Sequence, residues 1–159
     1  MAFIDLVGSS EKMIVDDHLE HVFNHFKWRI DNGYGRAMIT RSKIYAHQFV
    51  IGKAESGLVI DHINRNKLDN RVLNLRKCTN NQNFYNAKKR RNKTTLFKGV
   101  SVKRDKFHAR IMLNRKTYLL GDYTNQEDAA RAYDKKAYEL FGEFAHLNFP
   151  DELKNKEAS

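Results

Sequence analysis

The chain is poor in the features that define several common protein classes. It holds one cysteine, Cys78, in 159 residues, which rules out an intrachain disulfide framework and any zinc site built from cysteines. A reducing compartment fits that usage. No apolar run approaches the ~18 residues of a membrane-spanning helix. The amino-terminal stretch also lacks a basic segment followed by a long apolar core, so neither a membrane span nor a secretory signal is expected. A soluble, cytoplasmic protein is the expectation. Acidic residues are scarce beside basic ones: 19 Asp and Glu stand against 29 Lys and Arg, giving a net charge of +10 and a pI near 9.7. Such an excess favours a polyanionic partner without naming an activity.

The excess is local. Between residues 88 and 110 there are ten Lys or Arg and one acid, Asp105, whereas the first 31 residues carry six acids and three Lys or Arg. The cationic run therefore marks a binding surface rather than a uniform property. A length of 159 residues permits one ordinary domain or two small ones, and two are expected here.

Taken in order, residues 3–6 and 12–15 flank Gly8, Ser9 and Ser10 as a short β-hairpin. Asp16 and Asp17 offer an N-cap for a helix carrying Leu19, Val22, Phe23 and Phe26 at helical spacing. Residues 27–30 and 34–39 form a second hairpin around Asp31, Asn32 and Gly33, with Trp28 as a core anchor. Residues 42–50 read as strand or short helix and leave the role of His47 open.

The densest chemistry lies between residues 59 and 86. A strand over residues 57–60 delivers Asp61 and His62, whose side chains point to opposite faces unless the backbone bends. A polar turn follows, in which Asp69 and Asn70 read as turn chemistry, and residues 72–75 read as a returning strand. The Asn74 amide can tie the loop down. Thr79 is a good N-cap for a helix starting near Asn80 and carrying Asn83. Hard oxygen donors beside an imidazole suit a divalent cation such as magnesium and a base for an attacking water.

This stretch resembles the HNH endonuclease signature, in the variant of phage and intron-encoded homing endonucleases whose final His is replaced by Asn. The resemblance rests on Asp61-His62, Leu68-Asp69-Asn70-Arg71, Asn74-Leu75-Arg76 and Thr79 with Asn83, in order. It implies a ββα-metal fold with Asp61 as metal ligand, His62 as general base, Asn74 orienting the loop and Asn83 as second metal ligand. Asn80, Asn81 and Asn86 are nearby alternatives to Asn83. Asn in place of the last His favours Mg2+, with Mn2+ as substitute, over zinc. The upstream hairpins and Trp28 are similar to the leader of many such phage proteins, which implies a phage-encoded, DNA-associated protein in a bacterial host.

Beyond the cationic run, residues 98–102, 107–112 and 116–120 read as three strands. Alternation turns Val100, Val102, Phe107, Ala109, Ile111, Tyr118 and Leu120 one way and Ser101, Lys103, His108, Arg110, Met112, Thr117 and Leu119 the other. Thr124 and Glu127 form a capping box for a helix with Ala130, Tyr133, Ala137, Leu140 and Phe141 on one stripe, stopped by Gly142. Residues 97–150 resemble the AP2/ERF-like DNA-binding domain: Phe97-Lys98-Gly99-Val100 near the start, residues 118–123 in the middle, residues 127–134 on the helix and residues 147–150 at the end. Plant-type members read bases through Arg and Trp on the sheet. The outward positions here differ, so their base preference does not carry over.

The expected fold is α+β: β-hairpins, a ββα-metal nuclease module, then a three-stranded antiparallel sheet on one helix. The expected domains are residues 1–87, a basic linker at 88–96, an AP2-like domain at 97–150 and a tail at 151–159. The expected function is metal-dependent cleavage of double-stranded DNA, as a nick or a double-strand break, by a monomer or homodimer. DNA is expected to meet Lys88, Lys89, Arg90, Arg91, Lys93, Lys98, Ser101, Lys103, Arg104, His108, Arg110 and Thr117. The competing class is a non-catalytic DNA-binding regulator with a degenerate nuclease module. RNA binding is weaker, because no RNP-type aromatic motif is present.

Overall fold

A computed structural model describes residues 1–87 and 95–152 as a mixture of helices and small antiparallel sheets. Lys88, Lys89, Arg90, Arg91 and Lys93 lie outside the described residues. Two units are distinguished, Met1–Asn83 and Phe84–Ser159.

In the first unit, β1 (Ala2–Asp5) pairs antiparallel with β2 (Lys12–Val15). Ile4, Met13 and Val15 enter the core while Phe3 stays exposed, the period-two pattern of a half-buried strand. A 3-10 turn (Asp17–Leu19) and the short α1 (Glu20–Phe23) follow. The expected cap by Asp16 or Asp17 is not made. The Asp16 carboxylate instead accepts the Val72 N–H at 2.8 Å, a tertiary partner that competes with the local one. Trp28 is the core anchor expected of it: its ring stacks on Phe23 at 4.8 Å, and its indole N–H donates to the Phe23 carbonyl at 2.9 Å. A partnered N–H makes burial of the indole tolerable.

The second sheet has the order β3 (Arg29–Asp31), β4 (Tyr34–Ile39), β5 (Ser42–Tyr45), all antiparallel. Asn32 and Gly33 both take positive φ, 52° and 82°, as a two-residue hairpin turn requires. A Cβ on Gly35 would overlap the Met13 sulfur, so a side chain there would force Met13 of the first hairpin to shift. Residues 42–50 divide between both readings: β5 is followed directly by α2 (Ala46–Ile51).

A third hairpin joins β6 (Leu58–His62) to β7 (Leu75–Thr79), with Asp61 opposite Arg76 and His62 opposite Leu75. The returning strand thus begins at Leu75, not Val72. Val72–Asn74 is a 3-10 turn with Leu73 92% exposed, because the Asn74 side chain folds back into the loop. Thr79 caps α3 (Asn80–Asn86) as expected: its hydroxyl accepts the Gln82 N–H at 3.3 Å, and the Gln82 side chain accepts the Thr79 N–H at 2.8 Å.

In the second unit, β8 (Val100–Lys103), β9 (Lys106–Leu113) and β10 (Lys116–Tyr123) form an antiparallel sheet with β9 in the centre. Helix α4 (Gln126–Phe141) packs on one face, burying Ala129, Ala130, Tyr133 and Ala137 against Val100, Ala109 and Ile111. Val102 and Tyr118, expected on the inner face, are 39% and 48% exposed because both lie on edge strands. A register shift between Leu119 and Gly121 lengthens β10 beyond the expected end. The cap of α4 is Asn125, whose side chain accepts the Glu127 N–H at 2.7 Å, rather than Thr124. Asn is as good a cap as Thr, and Asn125 already has extended backbone. Gly142, at φ 51°, ends the helix. Asp134, buried on α4, accepts the Asn148 and Phe149 N–H groups at 2.9 and 2.7 Å. It pins the end of the described chain to the helix.

Candidate functional site

The loop between β6 and β7 is built from amides and one carboxylate. Asn74 accepts the Asn64 N–H at 2.9 Å, and its own NH2 donates to the Asn64 side chain at 3.0 Å and the Asp69 carbonyl at 2.7 Å. Asp69 is buried, takes two bonds from the Arg71 guanidinium at 2.8 and 2.6 Å and one from the Asn64 amide at 2.8 Å. Those bonds, Arg71 first, hold its carboxyl below the ordinary range. The β2 strand supports the same loop: the Ile14 N–H donates to the Leu68 carbonyl and the Asn70 N–H to the Ile14 carbonyl, both at 2.8 Å. The leader hairpin is therefore part of the site's scaffold.

His62 sits inside this frame, 4% exposed, with Nε2 3.2 Å from the Oδ1 of Asn70. An amide oxygen can only accept, so this contact puts the proton on Nε2 and the lone pair on Nδ1. Burial pushes the His62 pKa down, against the opposing pull of Asn70, Asp61 and Asp69. The ring is thereby kept neutral, the form a base requires. Asn70 is wholly buried and its Nδ2 has no partner. Read from sequence it is turn chemistry; in the structure it holds the histidine.

Asp61 is also buried, on the other side of the strand. Its Oδ2 receives the Arg76 Nε at 3.0 Å and lies 2.9 Å from Arg76 Nη2. Cys78 is the next residue along on that face of β7. Burial, and then the charge of Asp61, raise its thiol pKa, so the sulfur stays protonated and makes a poor soft ligand. The Asn83 backbone N–H is directed at the same sulfur. Asp61, Cys78 and the start of α3 thus share one neighbourhood. Among the described residues no three His, Cys, Asp or Glu are gathered to hold a metal ion.

His47 belongs to the site's surroundings. Its ring lies 5.5 Å from that of His62, edge to face, and stacks on Tyr45 at 5.6 Å, while Tyr34 touches both histidines at 5.2 and 5.9 Å. Burial, with His62 beside it, lowers the His47 pKa to about 4. Its Nδ1 is enclosed without a partner. The His-aromatic spacing from Tyr45 to His47 was the available signal; what it faced was not.

The expected DNA contacts of the second unit divide into two groups. Lys103, Arg110 and Thr117 lie on the exposed face of the sheet, and Arg104 is exposed in its hairpin turn. Arg110 also donates to the Ser101 hydroxyl at 2.6 Å. His108 is paired with Asp122 on that face, through Nδ1 at 2.5 Å. Lys98 has a structural position: its ammonium donates to the Tyr85 and Ala87 carbonyls at 2.6 and 2.7 Å, satisfying groups at the end of α3 that the helix itself leaves open.

The hairpin thus brings together a buried neutral imidazole oriented by an amide and a buried carboxylate. The family model described as HNH endonuclease matches residues 44–85, which includes His47 as well as the hairpin and most of α3. An uncharacterized HNH endonuclease of Acanthamoeba polyphaga mimivirus is 32% identical over 133 residues, covering 80% of this chain and 69% of the relative. An alignment of that length exceeds the 83 residues of Met1–Asn83, so the similarity extends into the second unit. No solved structure matches the chain significantly. The chain belongs to the HNH endonuclease family. No helix among the described residues is long and apolar enough to cross a membrane.

Proposed function

We propose that the chain is a metal-dependent DNA endonuclease of the homing type, in which the first unit cuts and the sheet of the second unit holds duplex DNA. The observation that carries this reading is the His62 ring, buried, neutral and held through Nε2 by Asn70, on the strand that also carries the buried Asp61. His62 takes a proton from the attacking water at Nδ1, and Asn70 keeps the ring from turning as it does so. Arg76 holds the Asp61 carboxylate at the base of the site, and Asn74 keeps the loop closed through its bonds to Asn64 and Asp69.

The donor set fits a hard cation better than zinc. One carboxylate and one amide oxygen, with a neutral thiol nearby, suit magnesium, which keeps several of its waters; Asp61 and Asn83 would hold it. When bound, such an ion supplies Lewis-acid neutralisation of the phosphate charge. For the second unit, the three-stranded sheet on α4 with Lys103, Arg110 and Thr117 outward supports the AP2-like docking role.

The test is a supercoiled plasmid carrying neighbouring genomic DNA, incubated with magnesium or manganese. Nicking or linearisation by the wild type and intact plasmid with His62→Ala are expected. Cutting that persists in His62→Ala sinks the assignment of the base. An uncut plasmid that is still bound favours the regulator reading, in which Arg76 keeps the Asp61 carboxylate for itself.

A further inference from the structure

The outward face of β3, β4 and β5 has a charge pattern that the fold alone does not explain. Ile30, Ala37 and Ile39 pack inward on the core of the first unit, so alternation turns Arg29, Asp31, Tyr34, Arg36, Met38, Lys43 and Tyr45 outward. Arg29 and Arg36 are direct cross-strand partners. Two like charges placed opposite each other destabilise a strand pair. The one acid on this face is shared: the Asp31 carboxylate pairs with Lys43 at 2.5 Å and accepts the Tyr45 hydroxyl at 3.1 Å, and makes only a longer ion pair with Arg36 Nε at 3.9 Å, while Arg29 has no acid opposite it on this face. That Nε is enclosed without a hydrogen-bond partner. Beside the pair opens a cleft of about 480 Å³ lined by His25, Phe26, Lys27, Arg29, Arg36 and Met38.

The same face leads to the histidine. Tyr34, next along β4 from the arginine pair on this face, has its ring against His47 and His62, and the Lys67 ammonium lies 4.1 Å over that ring. We propose that this face is a docking surface for the phosphodiester backbone of duplex DNA, with phosphates held between Arg29, Arg36 and Lys27 on the strand path that reaches His62. The proposal rests on the nuclease reading for its destination but not for its chemistry. Phosphate oxygens supply close anionic acceptors for an arginine pair whose one acid, Asp31, reaches Arg36 only at 3.9 Å, and Arg matches them in a two-point geometry. A single-strand platform is disfavoured, since the cleft offers no row of exposed rings for bases to stack on: Phe26 packs on the core.

The experiment measures binding of the full chain to a labelled mixed-sequence DNA duplex by fluorescence anisotropy, in EDTA and over a series of salt concentrations. Arg29→Gln, Arg36→Gln and the exposed Lys27→Gln should each lower the slope of log affinity against log salt by about 1. Removing Arg29 should leave the melting temperature unchanged or raise it, because a like-charge pair is relieved. An unchanged slope in a folded Arg29→Gln/Arg36→Gln variant overturns the proposal. Because EDTA prevents turnover, the two readings fail separately. A slope change in a protein that never cuts plasmid leaves the surface standing and removes the nuclease. Cutting with an unchanged slope does the reverse.

Discussion

The two units bury polar side chains in different ways. In the first, Asp61, His62, Asp69, Asn70 and Asn74 are all buried within one hairpin and its loop, and they bond chiefly to each other and to the loop. In the second, Asn86, Thr95 and Asp134 are buried, and the latter two meet mainly backbone: the Thr95 hydroxyl donates to the Val100 carbonyl at 2.9 Å, and Asp134 accepts from the Asn148 and Phe149 N–H groups and the Asn148 side chain. Asp134 ties a chain end down, whereas the hairpin network surrounds an imidazole and fixes its tautomer. Burying a polar network is costly unless every member is bonded, so a network with Asn70 Nδ2 left unpartnered is better explained by the histidine it holds than by stability.

The largest expected effect separates the units by activity. His62→Ala should reduce plasmid cleavage by about 10²- to 10⁴-fold while leaving duplex binding in EDTA unchanged; a parallel loss of binding would merge the two roles. Next, Arg76→Ala removes the guanidinium from the buried Asp61 carboxylate and should destabilise the first unit by about 3–5 kcal/mol in urea unfolding. Asn70→Ala should slow cleavage about tenfold, one hydrogen bond's worth of orientation, and lower stability by about 1–3 kcal/mol, since it leaves the buried His62 Nε2–H without its acceptor.

Acid should also tell the units apart. His47 is held at about 4 against an ordinary 6.5, so the unfolded chain takes the proton first; its contribution is present above about pH 6.5 and is lost as pH falls toward about 4. Asp134 runs the other way. Burial raises its pKa above 3.8 despite its bonds to Asn148 and Phe149, so its contribution is full below that value and lost as pH rises through the raised one. Hydrogen exchange read separately on β6 and α4 should therefore show the first unit loosening on acidification while the second holds; equal loosening would break the distinction. The smallest effect belongs to the sheet of the second unit: Lys103→Ala and Arg110→Ala should each flatten the salt slope of binding by about 1.

What was legible in the residues was mainly local. The Asn32-Gly33 turn, the Thr79 cap, the Gly142 stop and the ability of Asn74 to close its loop depend on partners a few residues away or on backbone angles that residue type sets. Misplaced features had competing partners. Asp16 reaches Val72 rather than a helix end, and Asn125 displaces Thr124. The cationic run from residue 88 is visible because its charges are consecutive. The face of Arg29, Arg36, Lys43 and Lys67 is not, because its charges are scattered among acids in the chain and meet only across strands.

The order Asp61, His62, Asn74, Asn83 and the alternation of short strands were determined by the sequence itself, since spacing and period are properties of the chain. Tertiary structure alone decided which atoms meet His62. Asn70, His47 and Tyr34 reach it from a loop, a helix and a strand separated by as many as 36 residues of chain. Hydrogen bonds and ring contacts act over a few ångströms regardless of sequence distance, so the company that keeps this imidazole neutral and oriented exists only once the hairpins are packed together.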